Sequence, residues 1–268
     1  MNVLVVGLTE KKAGKTSLAR ALIRFLKERN IKVCGYKPRS GGNLWYHWDI
    51  VKEGLLKGTL YGKDAKALFF ESDKEVSITT INPVHRIWVP IDDGLKWSEL
   101  PNFLMDRIMI EEKQIILYNK KIHNPLDDEI FNKLFSNSTI KYISNRSDLE
   151  SCLPLYKEAE EKAYKELKQK FEYLICESYA NIALPWEQNR DLDYVFAIKP
   201  FKIKIYDGNR YLKASKIVSS LPLEETTEIY SETLKPIKEI SVPPFETNII
   251  VNLKNQIKPI VNQILLDK

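Results

Sequence analysis

Residues 7–17, which read GLTEKKAGKTS, have the residue types of a phosphate-binding loop. They follow an apolar run at 2–6, typical of a buried β-strand, and precede 18–29, where apolar residues recur at helical spacing. A strand, a glycine-containing turn and a helix N-terminus in this order direct backbone N–H groups at an anion. Lys15 would reach the β- and γ-phosphates, and the Thr16 hydroxyl would bind Mg²⁺.

The spacing of this loop departs from the common pattern GxxxxGK[ST]. That pattern requires a glycine at position 9, where the chain has Thr9, and the first glycine is Gly7. The alternative interpretation is an ordinary turn before a basic helix start. Because the strand and the helix flank the loop, we favour nucleotide binding. The residues assigned to the nucleotide are Thr9, Glu10, Lys11, Lys12, Ala13, Gly14, Lys15, Thr16 and Ser17.

Composition limits the classes of function. The chain has 268 residues and a net charge of +5, with acidic and basic residues mixed throughout, so no nucleic-acid-binding arm is indicated. No apolar run approaches the roughly 20 residues of a membrane-spanning helix, and the first residues lack a secretory pattern. The three cysteines have no metal-binding spacing. We expect a cytoplasmic protein with reduced thiols and no membrane or nucleic-acid partner.

A second group of candidate residues follows a second strand, predicted at 31–36. A βαβ unit would make this strand parallel to the first and bring Lys37 to the edge of the sheet that carries the phosphate loop. Lys37 would then face the γ-phosphate, with Ser40 in the same glycine-containing loop; the alternative is a surface turn. The aromatic segment 43–50 would line a substrate pocket through Trp45, or else pack a loop onto the core.

Two carboxylates are candidate partners of Mg²⁺. Glu177 ends an apolar strand predicted at 173–176, and ligands of open α/β sheets collect at the carboxyl ends of strands. Asp64 follows the turn at Gly62, where it would cap a short helix or hold a metal-bound water. The alternatives are a strand terminus for Glu177 and a simple helix cap for Asp64.

The remaining pattern predicts one α/β domain over 1–268, with a looser inserted segment at 92–150. A long charged helix is expected at 151–171, a strand at 194–198 and a helix at 209–219. An apolar stripe predicts a C-terminal helix, bent at Pro259 and capped by Thr247.

Several stretches together resemble dethiobiotin synthetase and its wider relatives, the cobyrinic acid amide synthases and the MinD and ParA ATPases. They are the phosphate loop, the GYKP segment at 35–38, the Asp64-Ala65 helix start, Asn82-Pro83 and the strand that ends in Glu177. The resemblance implies a doubly wound, mostly parallel P-loop NTPase sheet, a homodimer, and ATP and Mg²⁺ as cofactors.

The resemblance also assigns roles to residues. It implies phosphate contacts for Lys15, and Mg²⁺ contacts for Thr16, Asp64 and Glu177. Lys37 would contact the transferred phosphoryl group or a substrate carboxylate. The segment 242–245 is similar to the loop beside the nucleotide base, and this adds Pro243 and Pro244 to the nucleotide site.

The chain also departs from these relatives. Ser-Tyr-Ala-Asn follows Glu177, where dethiobiotin synthetase has a glycine-rich run, and Glu10 occupies the position of the signature lysine of MinD-type loops. From the resemblance as a whole, we expect an ATP-dependent enzyme that phosphorylates a small carboxylate or carbamate. An amine would then capture the phosphorylated product. The alternative is a regulatory ATPase that acts on a protein partner.

Overall fold

The structure, a computed structural model, describes residues 1–9, 12–90, 100–186, 191–218, 226–229 and 234–266. The chain divides into two compact units. The first unit comprises Met1–Lys37, Ala67–Glu75 and Leu167–Lys268, and the second comprises Pro38–Lys66 and Val76–Glu166.

The first unit contains a six-stranded mixed sheet. The strands are β1 (Asn2–Gly7), β2 (Val33–Tyr36), β8 (Tyr173–Glu177), β9 (Tyr194–Lys199), β10 (Lys202–Asp207) and β11 (Lys238–Ser241). The neighbouring strands β2, β8, β1 and β9 run parallel, and β10 and β11 add an antiparallel edge beyond β9. Every residue of β1 is buried, as expected for a parallel strand covered on both faces.

Two helices of the first unit pack against each other. Helix α1 (Lys15–Lys27) buries its apolar side chains, and it contacts the C-terminal helix α9 (Ile249–Leu265). Pro259 lies inside α9, as the sequence predicted. The predicted cap is wrong: Asn248, with φ of 51°, occupies the N-cap position in place of Thr247.

The second unit contains a five-stranded mixed sheet in the order β3-β4-β5-β6-β7. The outer pairs β3–β4 and β6–β7 are parallel, and β5 is antiparallel to both of its neighbours. The strands are β3 (Arg39–Asn43), β4 (Val84–Trp88), β5 (Phe103–Ile110), β6 (Lys113–Asn119) and β7 (Thr139–Ile143). Ile116 and Leu117 enter different apolar clusters, as alternation along β6 requires.

The other helices are short apart from one. The helices are α2 (Trp48–Lys57), α3 (Lys63–Glu71), α4 (Ile78–Ile81), α5 (Asn132–Ser136), α6 (Arg146–Ser151), α7 (Leu153–Lys170) and α8 (Gly208–Val218). Helix α7 is the long charged helix that the sequence predicted, and α8 is the helix expected at 209–219. A 3₁₀ turn at Asp128–Phe131 precedes α5. Among the helices that the structure describes, none is long and apolar enough to cross a bilayer.

The predicted α/β class is confirmed. The strands lie in two mixed sheets, and the second sheet begins with β3, far ahead of the expected insertion at 92–150. Residues 37–42 were expected to form a loop, and this expectation is wrong because Arg39–Asn43 pair with β4.

Candidate phosphate-binding site

The turn between β1 and α1 depends on two glycines. Gly14 is the N-cap residue of α1 with φ of 96°, a backbone conformation that residues with a side chain rarely adopt. A side chain at Gly7 would meet the Thr9 carbonyl oxygen at 2.9 Å and Lys15 Nζ at 3.0 Å. The chain therefore folds back closely over the end of β1, and α1 begins directly at Lys15.

The predicted nucleotide-binding residues differ in exposure. Thr9 and Lys12 are exposed, Ala13 is buried, and Ser17 is half-buried. Glu10 and Lys11 lie outside the described residues. Lys15 Nζ donates a hydrogen bond of 2.6 Å to the Ala180 carbonyl oxygen, in the segment that follows β8.

Three predicted site residues meet at one carboxylate oxygen. Glu177 Oε1 accepts a hydrogen bond of 2.9 Å from Thr16 Oγ1 and one of 2.7 Å from Lys37 Nζ. Lys37 Nζ also donates to the Ser178 carbonyl oxygen at 2.8 Å. The order β1-β8-β2 explains this meeting, because the carboxyl ends of adjacent parallel strands lie at one edge of the sheet.

Burial gives this cluster its electrostatic character. Lys37 is 2% exposed and Glu177 is fully buried, so the ion pair between them is removed from water. A buried charge is tolerated only when it is paired and hydrogen-bonded, and Lys37 and Glu177 meet this requirement for each other. Burial raises the pKa of the neighbouring Cys176 thiol, which therefore stays protonated and is a poor nucleophile.

The few oxygen donors of the cluster suit Mg²⁺ better than a metal ion that is held entirely by protein side chains. The described residues contain no group of three or more His, Cys, Asp and Glu side chains that could hold a metal. Mg²⁺ commonly takes one or two protein oxygens and completes its octahedron with water and substrate phosphates. The Thr16 hydroxyl and the Glu177 carboxylate fit that requirement.

A cavity of about 220 Å³ opens beside the turn between β1 and α1. Three parts of the first unit line it: the start of α1, the β9–β10 turn, and the segment from residue 242 into α9. Pro243 and Pro244, expected beside a nucleotide base, both line this cavity. The complete lining is Ala13, Gly14, Ser17, Ile198, Lys199, Pro200, Phe201, Val242, Pro243, Pro244, Phe245, Ile249 and Leu253.

Two of the other predicted site residues belong to the second unit and have identified surroundings. Ser40 is buried in β3, where its hydroxyl lies 2.7 Å from Asn82 Oδ1 and 2.6 Å from His85 Nδ1. Trp45 is 75% exposed and lines an apolar cavity of about 480 Å³ with Trp48. Their roles in substrate binding stay predictions.

Asp64 is the third site residue in the second unit. It is the exposed second residue of α3, so the prediction that it caps this helix is wrong. Its role as a Mg²⁺ partner stays a prediction.

Sequence reasoning missed three contributors to the first unit's site. The carbonyls of Ser178 and Ala180 hold lysines through backbone atoms, which leave no signature in the sequence. Phe201 lies in the turn between β9 and β10. Two strand-like runs separated by two residues, Pro200 and Phe201, are the signal that would have found this turn.

Comparison with known proteins gives no family: no family model and no curated protein matches this chain. The functional interpretation therefore rests on the arrangement of Lys15, Thr16, Lys37 and Glu177.

Proposed function

We propose that the chain is a P-loop enzyme that transfers the γ-phosphoryl group of Mg²⁺-ATP to a small carboxylate or carbamate. An amine would then capture the acyl or carbamoyl phosphate. The observation that carries this proposal is the convergence of Thr16 and Lys37 on Glu177, at the edge of the sheet where Lys15 begins α1.

Each side chain has a role that its position supports. Lys15, at the N-terminus of α1, would contact the β- and γ-phosphates, where the helix dipole also favours an anion. The Thr16 hydroxyl and the Glu177 carboxylate would hold Mg²⁺, which supplies charge neutralisation at the phosphates when bound. Lys37 would stabilise the charge that develops between the phosphate and the substrate oxygen.

The cavity beside Gly14 supports the placement of the nucleotide. It adjoins the phosphate loop and is lined by Pro243 and Pro244, so a base in this cavity would be continuous with phosphates on the loop. Its lining is mostly apolar, which suits the face of an aromatic heterocycle.

A regulatory ATPase is the second candidate, and one observation favours it. The two lysines are held by carbonyls of the same short segment, Lys37 by Ser178 and Lys15 by Ala180. A triphosphate that attracted both lysines would break these hydrogen bonds and release the segment that contains Ser178 and Ala180. A protein partner would then bind the released segment differently. In this case the ATP would be hydrolysed and no metabolite would be phosphorylated.

Calorimetric titration with Mg²⁺-ATP tests the nucleotide site. Lys15→Ala should weaken binding at least 10-fold, because the ammonium group pairs directly with the phosphates. Lys202→Ala is the matched control, since Lys202 is a surface lysine of the same unit that pairs with Glu239. Equal affinities for Lys15→Ala, Lys202→Ala and the unaltered protein, all folded, would contradict the phosphate-loop assignment.

A further inference from the structure

The turn that joins β9 to β10 holds Phe201 in an unusual backbone conformation. Its φ is 70°, in the left-handed region that residues other than Gly, Asn and Asp seldom occupy. Pro200 precedes it, and a proline followed by a residue of positive φ is the pattern of a type II turn, whose third position usually holds Gly or Asn. The backbone of a phenylalanine at this position is strained, and residues with strained backbones concentrate at functional sites.

Burial in the core does not explain why a phenylalanine occupies position 201. Phe201 is 68% exposed, so the ring gains little from packing within the unit. Phe201 instead lines the cavity that Gly14 and Ser17 also line. The strained turn therefore places an exposed aromatic residue beside the loop between β1 and α1.

The surrounding backbone fixes the position of this turn. Val242 N donates a hydrogen bond of 3.0 Å to the Phe201 carbonyl oxygen, which ties the turn to the segment that contains Pro243 and Pro244. On the other side, a side chain at Gly14 would meet Ile198 Cδ1 at 3.1 Å, so β9 and the phosphate loop are in close contact. The Phe201 backbone is thus held at a set place relative to the loop.

We propose that Phe201 is the platform on which the nucleotide base stacks. This inference rests on the proposed function, because it takes the phosphates to lie on the loop at Gly14 and Lys15. Every base has a flat π-face that stacks on an aromatic ring, and such stacking tolerates different bases. Phe201 would therefore contribute affinity for the nucleoside part and none for the phosphates.

The test compares Mg²⁺-ATP with Mg²⁺-tripolyphosphate, which has the phosphates and no base. Phe201→Gly removes the ring and also relieves the positive φ, so the variant should be at least as thermally stable as the unaltered protein. Its affinity for ATP, measured by calorimetry, should fall on the order of 10-fold. Its affinity for tripolyphosphate should not change.

Two further variants sharpen the test. Phe201→Trp keeps an aromatic face and should retain ATP affinity. Phe70→Ala removes another exposed ring of the first unit, 58% exposed on α3, and should leave both affinities unchanged.

The outcomes separate this inference from the proposed function. If the unaltered protein binds both probes and Phe201→Gly binds ATP equally well, Phe201 is no platform and the phosphate loop stands. Tripolyphosphate binding as tight as ATP binding would likewise overturn only the base contact. If the unaltered protein binds neither probe, the proposed function itself fails.

Discussion

At the scale of single residues, one oxygen atom organises the candidate site. Glu177 Oε1 accepts from both Thr16 and Lys37, so a change at any of the three alters the surroundings of the other two. Their effects on activity should therefore be strongly non-additive. The free energy of unfolding and the turnover rate must be measured separately to distinguish a structural ion pair from a catalytic one.

Lys37→Met makes this distinction. Removal of the ammonium leaves the buried Glu177 carboxylate without this cation, and we expect the free energy of unfolding to fall by about 3–5 kcal/mol. If Lys37 stabilises developing charge, kcat should also fall on the order of 10²–10³-fold. The affinity for Mg²⁺-ATP, measured by calorimetry, should fall much less.

The double variant Lys37→Met/Glu177→Gln is the control for this experiment. Neutralising both partners should restore most of the lost stability, as measured by chemical denaturation, because no uncompensated charge remains. Turnover should stay low. If turnover recovers together with stability, Lys37 and Glu177 form only a structural pair.

At the scale of elements, the parallel part of the first unit was predictable from the sequence, whereas strand β10 was not predicted. Strands β1, β2 and β8 are continuous apolar runs, and α1 has a regular apolar stripe, so their types and approximate bounds were predicted. Parallel pairing brings Lys37 and Glu177 to the same edge of the sheet, as predicted, whereas the ion pair between them was not predicted. The candidate site was predictable to the extent that it is built at strand ends.

Strand β3 shows why other elements were missed. Its sequence RSGGN has turn composition, yet it pairs with β4. A side chain at Gly41 would meet Trp88 Nε1 at 2.9 Å, and one at Gly42 would meet His85 Nε2 at 3.3 Å. These glycines make room for large side chains of β4, a tertiary requirement that local pattern does not reveal.

Strand β5 was missed for a different reason. Asp106 and Arg107 interrupt its apolar run, but both are fully buried because they have partners. Arg86 binds Asp106 with two hydrogen bonds, and Arg107 donates to three backbone carbonyls, those of Leu60, Asn82 and Pro83. Charged residues are normally a sign of exposure, and only the fold shows that these charges are satisfied.

The contact between β3 and β4 gives a prediction on pH. Burial, with smaller effects from the charges of Arg107 and His47, holds the pKa of His85 well below its ordinary value. In the unfolded chain the same histidine has a pKa of about 6.5. Below that pH the unfolded state binds a proton that the folded state does not, so stability should fall as pH decreases, by up to about 1.4 kcal/mol per pH unit.

His85→Asn isolates this contribution. The asparagine amide can keep the hydrogen bond to Ser40 Oγ and does not titrate. We expect the unfolding free energies of the two proteins, measured by denaturant between about pH 7.5 and pH 5, to converge as the pH falls. A constant difference over this range would mean that His85 is protonated equally in both states.

At the scale of the whole molecule, the α/β class was predictable and the division into two units was not. Two of the boundaries, at 66/67 and 166/167, fall inside α3 and α7. No proline- or glycine-rich linker marks them, so the composition of the sequence shows no change where one unit ends. The net charge of +5 is not informative by itself, and only the mixing of acidic and basic residues along the chain argues against a localised basic arm.

The reaction of the whole protein distinguishes an enzyme from a regulatory ATPase. If a carboxylate or carbamate oxygen attacks the γ-phosphate, an acyl or carbamoyl phosphate forms and ADP leaves. Hydroxylamine captures either mixed anhydride: its nitrogen attacks the carbonyl carbon, and inorganic phosphate departs. Incubation with Mg²⁺-ATP, hydroxylamine, and a panel of small aliphatic carboxylates and bicarbonate-treated diamines should therefore yield a hydroxamate or hydroxyurea.

The product should form in proportion to ADP and disappear in Lys37→Met, because that variant lacks the charge that we propose stabilises transfer to the substrate. Lys202→Ala should behave like the unaltered protein, since its lysine is on the surface of β10. Colorimetric detection with ferric ion measures hydroxamate, and mass spectrometry measures hydroxyurea. ADP and phosphate without either product, at a rate that Lys37→Met leaves unchanged, would contradict phosphoryl transfer to these substrates and favour the regulatory ATPase.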